Sequence, residues 1–268
     1  MAEAVMELSR LREEIARIEG QTKRFTSLKE STEKAWTFGF PEIDEALPEE
    51  GLSTGLLHDF FPEQKQNFTA VAAFVLRLLG RLPRRGPVVW CQGRFAAREY
   101  GRVHAPGLLK ERFKPERFVF VTLPHARQMG FVLEEALKMA PVAAVVGEGP
   151  PLSFTETRRL SLIAGRSGVP CLFLNTEAVV EASAARTRWR VKPVPGPGDA
   201  IDPKAPGPPA WRLELIRARG GRPGAWEITW DDETHSFRAF SDAFDQPLPA
   251  AGGGAQAHFA EGGRRQTG

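Results

Sequence analysis

The chain has 268 residues, 42% hydrophobic and 26% charged, with a formal net charge of +3. This is a globular composition with apolar material for one large domain or two small ones. Two cysteines, Cys91 and Cys171, exclude a disulfide scaffold and a cysteine-based zinc site, and the five scattered histidines lack the i+3 or i+4 spacing of a helical metal site. The longest apolar runs, such as 140–147, fall far short of the roughly 20 residues that span a bilayer. Glu3 and Glu7 stand where a signal peptide carries basic and then apolar residues, so a cytoplasmic location with no membrane partner is expected.

Residues 1–35 read as a helix and linker. Ala4, Leu8, Leu11, Ile15 and Ile18 form a narrow a/d-type stripe on an otherwise charged helix that Gly20 would stop. The stripe is too short for a free coiled coil, which leaves two readings: a helix folded back on its own domain, or a docking helix for another subunit. From Trp36 the pattern changes to short apolar runs alternating with helical stretches. Strands are expected at 56–61, 88–91, 118–122, 142–146 and 171–174, and helices at 67–79, 96–112, 126–139 and 154–165. Strands that are apolar without alternation belong to a parallel sheet covered on both faces, so the β-α-β-α order predicts a three-layer α/β domain over 36–240.

Beyond Asn175 the order changes to strands alone, at 188–192, 212–217 and 225–230, the last two joined by the turn-rich segment 220–224. Segment 193–209 contains seven prolines and three glycines and reads as a loop that cannot hold a ladder. Residues 241–268 are Gly-, Ala- and Pro-rich, with little to bury, and read as a disordered tail. Charge is segregated: 81–117 holds ten Lys/Arg against three Glu, 186–222 nine against three acids, and 30–63 nine acids against one Lys. A basic face of this kind suits phosphate or an acidic partner, and the alternative for each Arg is a solvated surface.

The strand at 56–61 followed by Pro62, Glu63, Gln64, Lys65, Gln66, Asn67, Phe68 and Thr69 sits where a phosphate-binding loop would sit. Such a loop needs glycines so that backbone N–H groups can wrap phosphate, a Lys for the terminal phosphates and Ser/Thr for magnesium. Here there is no Gly, Asn67 stands at the Lys position and Phe68 at the hydroxyl position, while Lys65 and Thr69 are out of register. The position is that of a nucleotide site without its chemistry. Cys91 and Cys171 read as core packing, and His58 beside Asp59 has no serine nucleophile motif to complete a triad.

The segment Trp36–Leu47, then Gly51-Leu52 and Gly55–Phe60, resembles the entry to a RecA-family core. Trp211–Arg219 and Trp226–Trp230 resemble that family's strand, basic turn and strand ending, and Phe173–Thr176 the strand with an Asn-Gln switch pair, Thr176 replacing the Gln. The whole set, in order over 36–240, resembles the ImuA family, RecA-like accessory factors of bacterial damage-inducible mutagenesis. The resemblance implies a mostly parallel sheet, an N-terminal helix and C-terminal antiparallel strands. It also places Gln92 where the catalytic Glu of an active member would stand, and a Gln cannot serve as general base. Gly147-Glu148 replaces the magnesium-associated Asp; Glu148 reads either as a substitute one step late or as a surface loop acid.

From the resemblance, no cofactor and no catalysis are expected. The implied role is a non-catalytic adaptor in SOS-induced error-prone translesion synthesis. Its implied partners are a Y-family polymerase-like protein of the ImuB type, an error-prone DnaE-type polymerase indirectly, and RecA as a further candidate. Loops after the fourth and fifth core strands face single-stranded DNA in RecA-like proteins. Here they bring Arg158 and Arg159, then Arg186, Arg188 and Arg190, with Phe154 or Trp189 to stack on a base. The competing readings are an atypical RecA-like DNA-binding recombinase or recombinase regulator, and a division inhibitor of the SulA type.

Overall fold

The unalternated apolar runs assemble into one sheet. A computed structural model describes residues 36–178, 181–198, 205 and 207–240. The expected helix bearing Leu8, Leu11, Ile15 and Ile18, and the tail from residue 241, lie outside the described residues. Among those described, the strands are β1 (Leu57–Pro62), β2 (Val88–Gly93), β3 (Phe118–Leu123), β4 (Ala144–Gly149), β5 (Cys171–Asn175), β6 (Thr187–Val194), β7 (Ala210–Ala218), β8 (Gly224–Asp231) and β9 (Ser236–Ala239). Their order in the sheet is β3-β2-β4-β5-β1-β6-β7-β8-β9. Pairing is parallel from β3 through β6 and antiparallel from β6 to β9.

Besides a single α-helical turn at Pro41–Asp44, the α-helices among the described residues are α1 (Phe68–Gly80), α2 (Arg94–Glu99), α3 (Ala105–Lys110), α4 (Met129–Leu137) and α5 (Phe154–Ser167). Each central strand is buried on both sides, and the strand period of two divides its residues between two cores. Phe60, Trp90, Val146, Leu172 and Leu174 face α1 and α3 and join Phe38, Phe74, Trp189, Trp211 and Phe237. Leu57, Val89, Cys91, Val145, Cys171 and Phe173 face α4 and α5. Burial pushes the Cys91 thiol up to about 12 and the Cys171 thiol upward too, as core packing requires.

The same alternation separates His58 from Asp59. His58 Nδ1 lies 2.8 Å from Thr187 Oγ1 and Nε2 2.9 Å from the Ser53 carbonyl, and burial pulls its pKa down to about 4. The entry segment is folded around one carboxylate: Asp44 accepts from the backbone N–H of Phe38, Gly39 and Phe40 at 2.7, 3.0 and 3.2 Å. That turn takes Gly39 to φ +69°, a conformation glycine adopts without strain. α5 opens on a capping box, Ser153 Oγ accepting from Glu156 N–H while Glu156 Oε2 accepts from Ser153 N–H.

Four expectations change. The segment 96–112 is two short helices, because Gly101 at φ +83° breaks the run and Pro106 restarts it. β4 lies later than 142–146 and carries Glu148 within it. β6 continues through Pro193, paired with Trp211, to Val194, so the ladder enters the Pro-rich segment. It can do so because pairing with β1 ends at Val191, and Pro193 has no neighbour on that side to supply with an N–H. The fourth change is β9, an unexpected strand that closes the antiparallel half and places Phe237 in the aromatic core.

Candidate functional site

The carboxyl ends of parallel strands, with the loops that follow them, are where an α/β sheet positions ligands. The loop after β1 is the first of these. Pro62 has no N–H to offer, and Glu63 N–H donates to the Val191 carbonyl at 3.2 Å. A 3-10 turn at Lys65–Asn67 spends Asn67 N–H on the Gln64 carbonyl at 2.8 Å, and the Gln66 amide donates to Gln64 Oε1. Phe68, at the hydroxyl position, is buried with its ring 4.7 Å from that of Tyr100. Lys65 Nζ pairs with Glu177 at 2.9 Å and lies 5.8 Å from the Phe95 ring centroid; Lys192 pairs with Glu63 at 3.1 Å. Glu177 raises the Lys65 pKa through this contact. These groups do not fit a triphosphate and its magnesium ion: the loop N–H groups named are engaged, the lysine is paired, and an aromatic ring occupies the hydroxyl position.

The next strand ends form a second cluster. Gln92 of β2 stands beside Glu148 of β4 in register. Glu148 is buried, which excludes the surface-acid reading. Its Oε1 accepts from Trp90 Nε1 at 2.8 Å and its Oε2 from Gln92 Nε2 at 2.6 Å, while Gln92 Nε2 also donates to the Gly101 carbonyl at 2.8 Å. Burial raises the Glu148 pKa to about 7 against the pull of these two donors. Gly147, at the position of the magnesium-associated Asp, faces α4, where a Cβ would come within 2.8 Å of the Leu133 side chain. Asn175 and Thr176 are buried, and Thr176 N–H donates to the Gly149 carbonyl at 2.9 Å.

The five arginines named as DNA contacts do not form one surface. Arg188 is buried and pairs with Asp59 at 3.3 Å, its guanidinium 5.7 Å from the Phe61 ring. Burial pushes the Asp59 carboxyl above its ordinary value, opposed by the Ser183 hydroxyl, Arg188 and Arg217. Arg190 pairs with Glu214 at 2.6 Å and Arg159 with Glu134 at 2.9 Å. Arg186 is half-buried, its backbone N–H donating to the Leu57 carbonyl at 2.7 Å. Arg158 is exposed on α5, with Phe154 at the start of the same helix. Trp189, the second stacking candidate, is fully buried and donates to Thr187 Oγ1 at 2.8 Å, so it cannot meet a base. A strand inserted between β1 and β7 packs its side chains against neighbours on both sides, which a single Arg-Trp-Arg run does not reveal.

Sheet order, motif order and the position of the loop after β1 together define a RecA-like core. No protein-family model matches the chain. The chain is 34% identical over 235 residues to Protein ImuA of Caulobacter vibrioides strain NA1000 / CB15N, covering 81% of this chain and 93% of that relative. The same figures hold for Protein ImuA of Caulobacter vibrioides strain ATCC 19089 / CIP 103742 / CB 15. The chain belongs to the ImuA family.

Proposed function

We propose that the protein is a non-catalytic adaptor in SOS-induced, error-prone translesion DNA synthesis. Its partners in this reading are a Y-family polymerase-like protein of the ImuB type and, through it, an error-prone DnaE-type polymerase, with RecA as a further contact. The observation that carries the reading is the loop after β1, where engaged N–H groups, the Lys65–Glu177 pair and buried Phe68 stand in a nucleotide site's place. Gln92, tied to Glu148, supports it, since neither group is placed to activate water. A fold relieved of hydrolysis still offers shape and charge for docking. No described helix is long and apolar enough to cross a membrane.

Calorimetric titration with magnesium-ATP is expected to give no saturable heat, and Asn67→Lys is expected to create no ATPase, because the loop still lacks glycines and Phe68 still fills the hydroxyl position. A dissociation constant in the low micromolar range, about −8 kcal/mol, overturns the non-catalytic reading. Co-purification with the ImuB-type partner tests the adaptor role. Leu11→Asp or Ile15→Asp is expected to weaken that complex, since an unpaired charge in an apolar seam is costly. An unchanged complex with a lowered melting temperature would instead assign the stripe to the protein's own core.

A further inference from the structure

The basic run at 81–117 resolves into two populations. Several of its cations are spent on the fold: Arg81 donates to the Thr37 carbonyl at 3.0 Å, Arg117 to the Gly86 carbonyl at 3.0 Å, Arg112 to the Glu233 carbonyl at 3.1 Å, and Lys110 pairs with Asp232 at 3.0 Å. Arg77, just outside the run, pairs with Glu111 at 2.6 Å. Arg85, Arg94, Arg98, Arg102 and Lys114 differ. All five are exposed, and among the described residues none makes an ion pair or side-chain hydrogen bond; Arg94, Arg98 and Arg102 are the three that follow β2 directly. They recur every four residues along α2 and the segment after it, so Arg94 and Arg98 are neighbours on one helix face, a like-charge spacing that is unfavourable without counter-ions.

Phe95 sits in the same helix with 64% of its surface exposed, its ring contacting the Lys65 ammonium. Arg98, three residues on, shares the helix face of Phe95, and Arg94 and Arg102 flank the same short segment in sequence. An exposed aromatic ring within a segment carrying three unpaired guanidinium groups is a combination that can track a phosphate backbone and stack its bases. We propose that α2 and the following turn, Arg94, Phe95, Arg98 and Arg102, form a binding ridge for single-stranded nucleic acid. It lies at the carboxyl end of β2, not at the segments after β4 and β5, where Arg188 and Trp189 are buried and Arg190 is paired. An acidic peptide would meet the same charges but has no base to place on Phe95. The ridge does not depend on the adaptor role, because it can bind an oligonucleotide with or without a polymerase partner.

The test is fluorescence anisotropy of the full chain with a labelled 20-nucleotide oligo(dT) over a range of salt concentrations. Wild type is expected to bind with a clear salt slope. The Arg94→Ser/Arg98→Ser/Arg102→Ser variant is expected to lose at least tenfold in affinity at moderate salt, and its log–log salt slope to fall by about 2, since each phosphate contact to a single strand contributes about 0.7. Phe95→Ala is expected to weaken binding about tenfold with the salt slope unchanged, as a stacking contact would. Arg158→Ser should change little. All four side chains are exposed, so melting temperatures should stay at the wild-type value and confirm folded variants. The proposal is overturned by absent wild-type binding, by a triple variant with the wild-type slope, by a larger loss at Arg158, or by polyglutamate competing as well as oligo(dT) with Phe95→Ala silent.

Discussion

Replacing Arg77 by alanine is expected to remove about 3–5 kcal/mol of folding stability, the usual cost of breaking a buried ion pair by deleting one partner. Arg77 leaves α1 with its guanidinium 5.4 Å from the Trp211 ring and 5.5 Å from the Trp230 ring. It ends on Glu111, just past α3, the two side chains only 9% and 7% exposed. One side chain thus ties the first helix to the antiparallel strands and to the segment after β2. Alanine removes the cation and the packing between two indoles, and strands Glu111 in a site closed to water. Urea unfolding should show the loss as a lower midpoint with an unchanged slope. Arg77→Met/Glu111→Leu should recover most of it, because the desolvation cost of both ions disappears with them. A loss below about 1 kcal/mol for Arg77→Ala would mean that Glu111 rehydrates and that the pair behaves like an exposed one, as Lys65–Glu177 does.

Much of the parallel half is legible in the sequence because burial on both faces leaves a signal that survives without tertiary knowledge: short runs with no alternation, such as Val88–Cys91 and Cys171–Leu174. The loop after β1 is legible for a different reason, since glycines, Lys and hydroxyl are named requirements whose absence can be read directly. What was not legible depends on register between distant segments. Gln92 and Glu148 are 56 residues apart and meet only because β2 and β4 are neighbours in the sheet. Arg188 and Trp189 read as contacts for single-stranded DNA in the segment after the fifth core strand, yet β6 lies between two strands and buries both side chains. Arg77 gave no sign of its role, because an Arg in an amphipathic helix ordinarily points at water, and its two indoles come from 134 and 153 residues further along the chain. The ridge at Arg94, Arg98 and Arg102 was present as spacing within the basic run, but only the structure separates those cations from the ones spent on carbonyls and carboxylates.

The stability of the protein against acid should depend on two buried groups whose proton linkages oppose each other. His58, pulled down to about 4 from 6.5, binds fewer protons folded than unfolded between those values, so its contribution is present above pH 6.5 and lost as pH falls towards 4. Glu148, raised from 4.5 to about 7, binds more protons folded than unfolded in that window, so the fold gains as pH falls from 7 towards 4.5. From pH 8 to pH 5 the first group withdraws about 2 kcal/mol and the second returns about 2–3 kcal/mol, nearly level together. Glu148→Gln removes the second linkage and leaves the first. The amide keeps the volume, and any mismatch between its N–H and the donors Trp90 and Gln92 is a constant offset that does not vary with pH. Buried carboxylates such as Asp59 titrate in both proteins and cancel in the comparison. The difference in unfolding free energy, Glu148→Gln minus wild type, is therefore expected to fall by about 2–3 kcal/mol between pH 8 and pH 5 in parallel urea series. A difference that stays flat would mean that Glu148 remains ionised in the fold at pH 5, held there by the two hydrogen bonds against the cost of its burial.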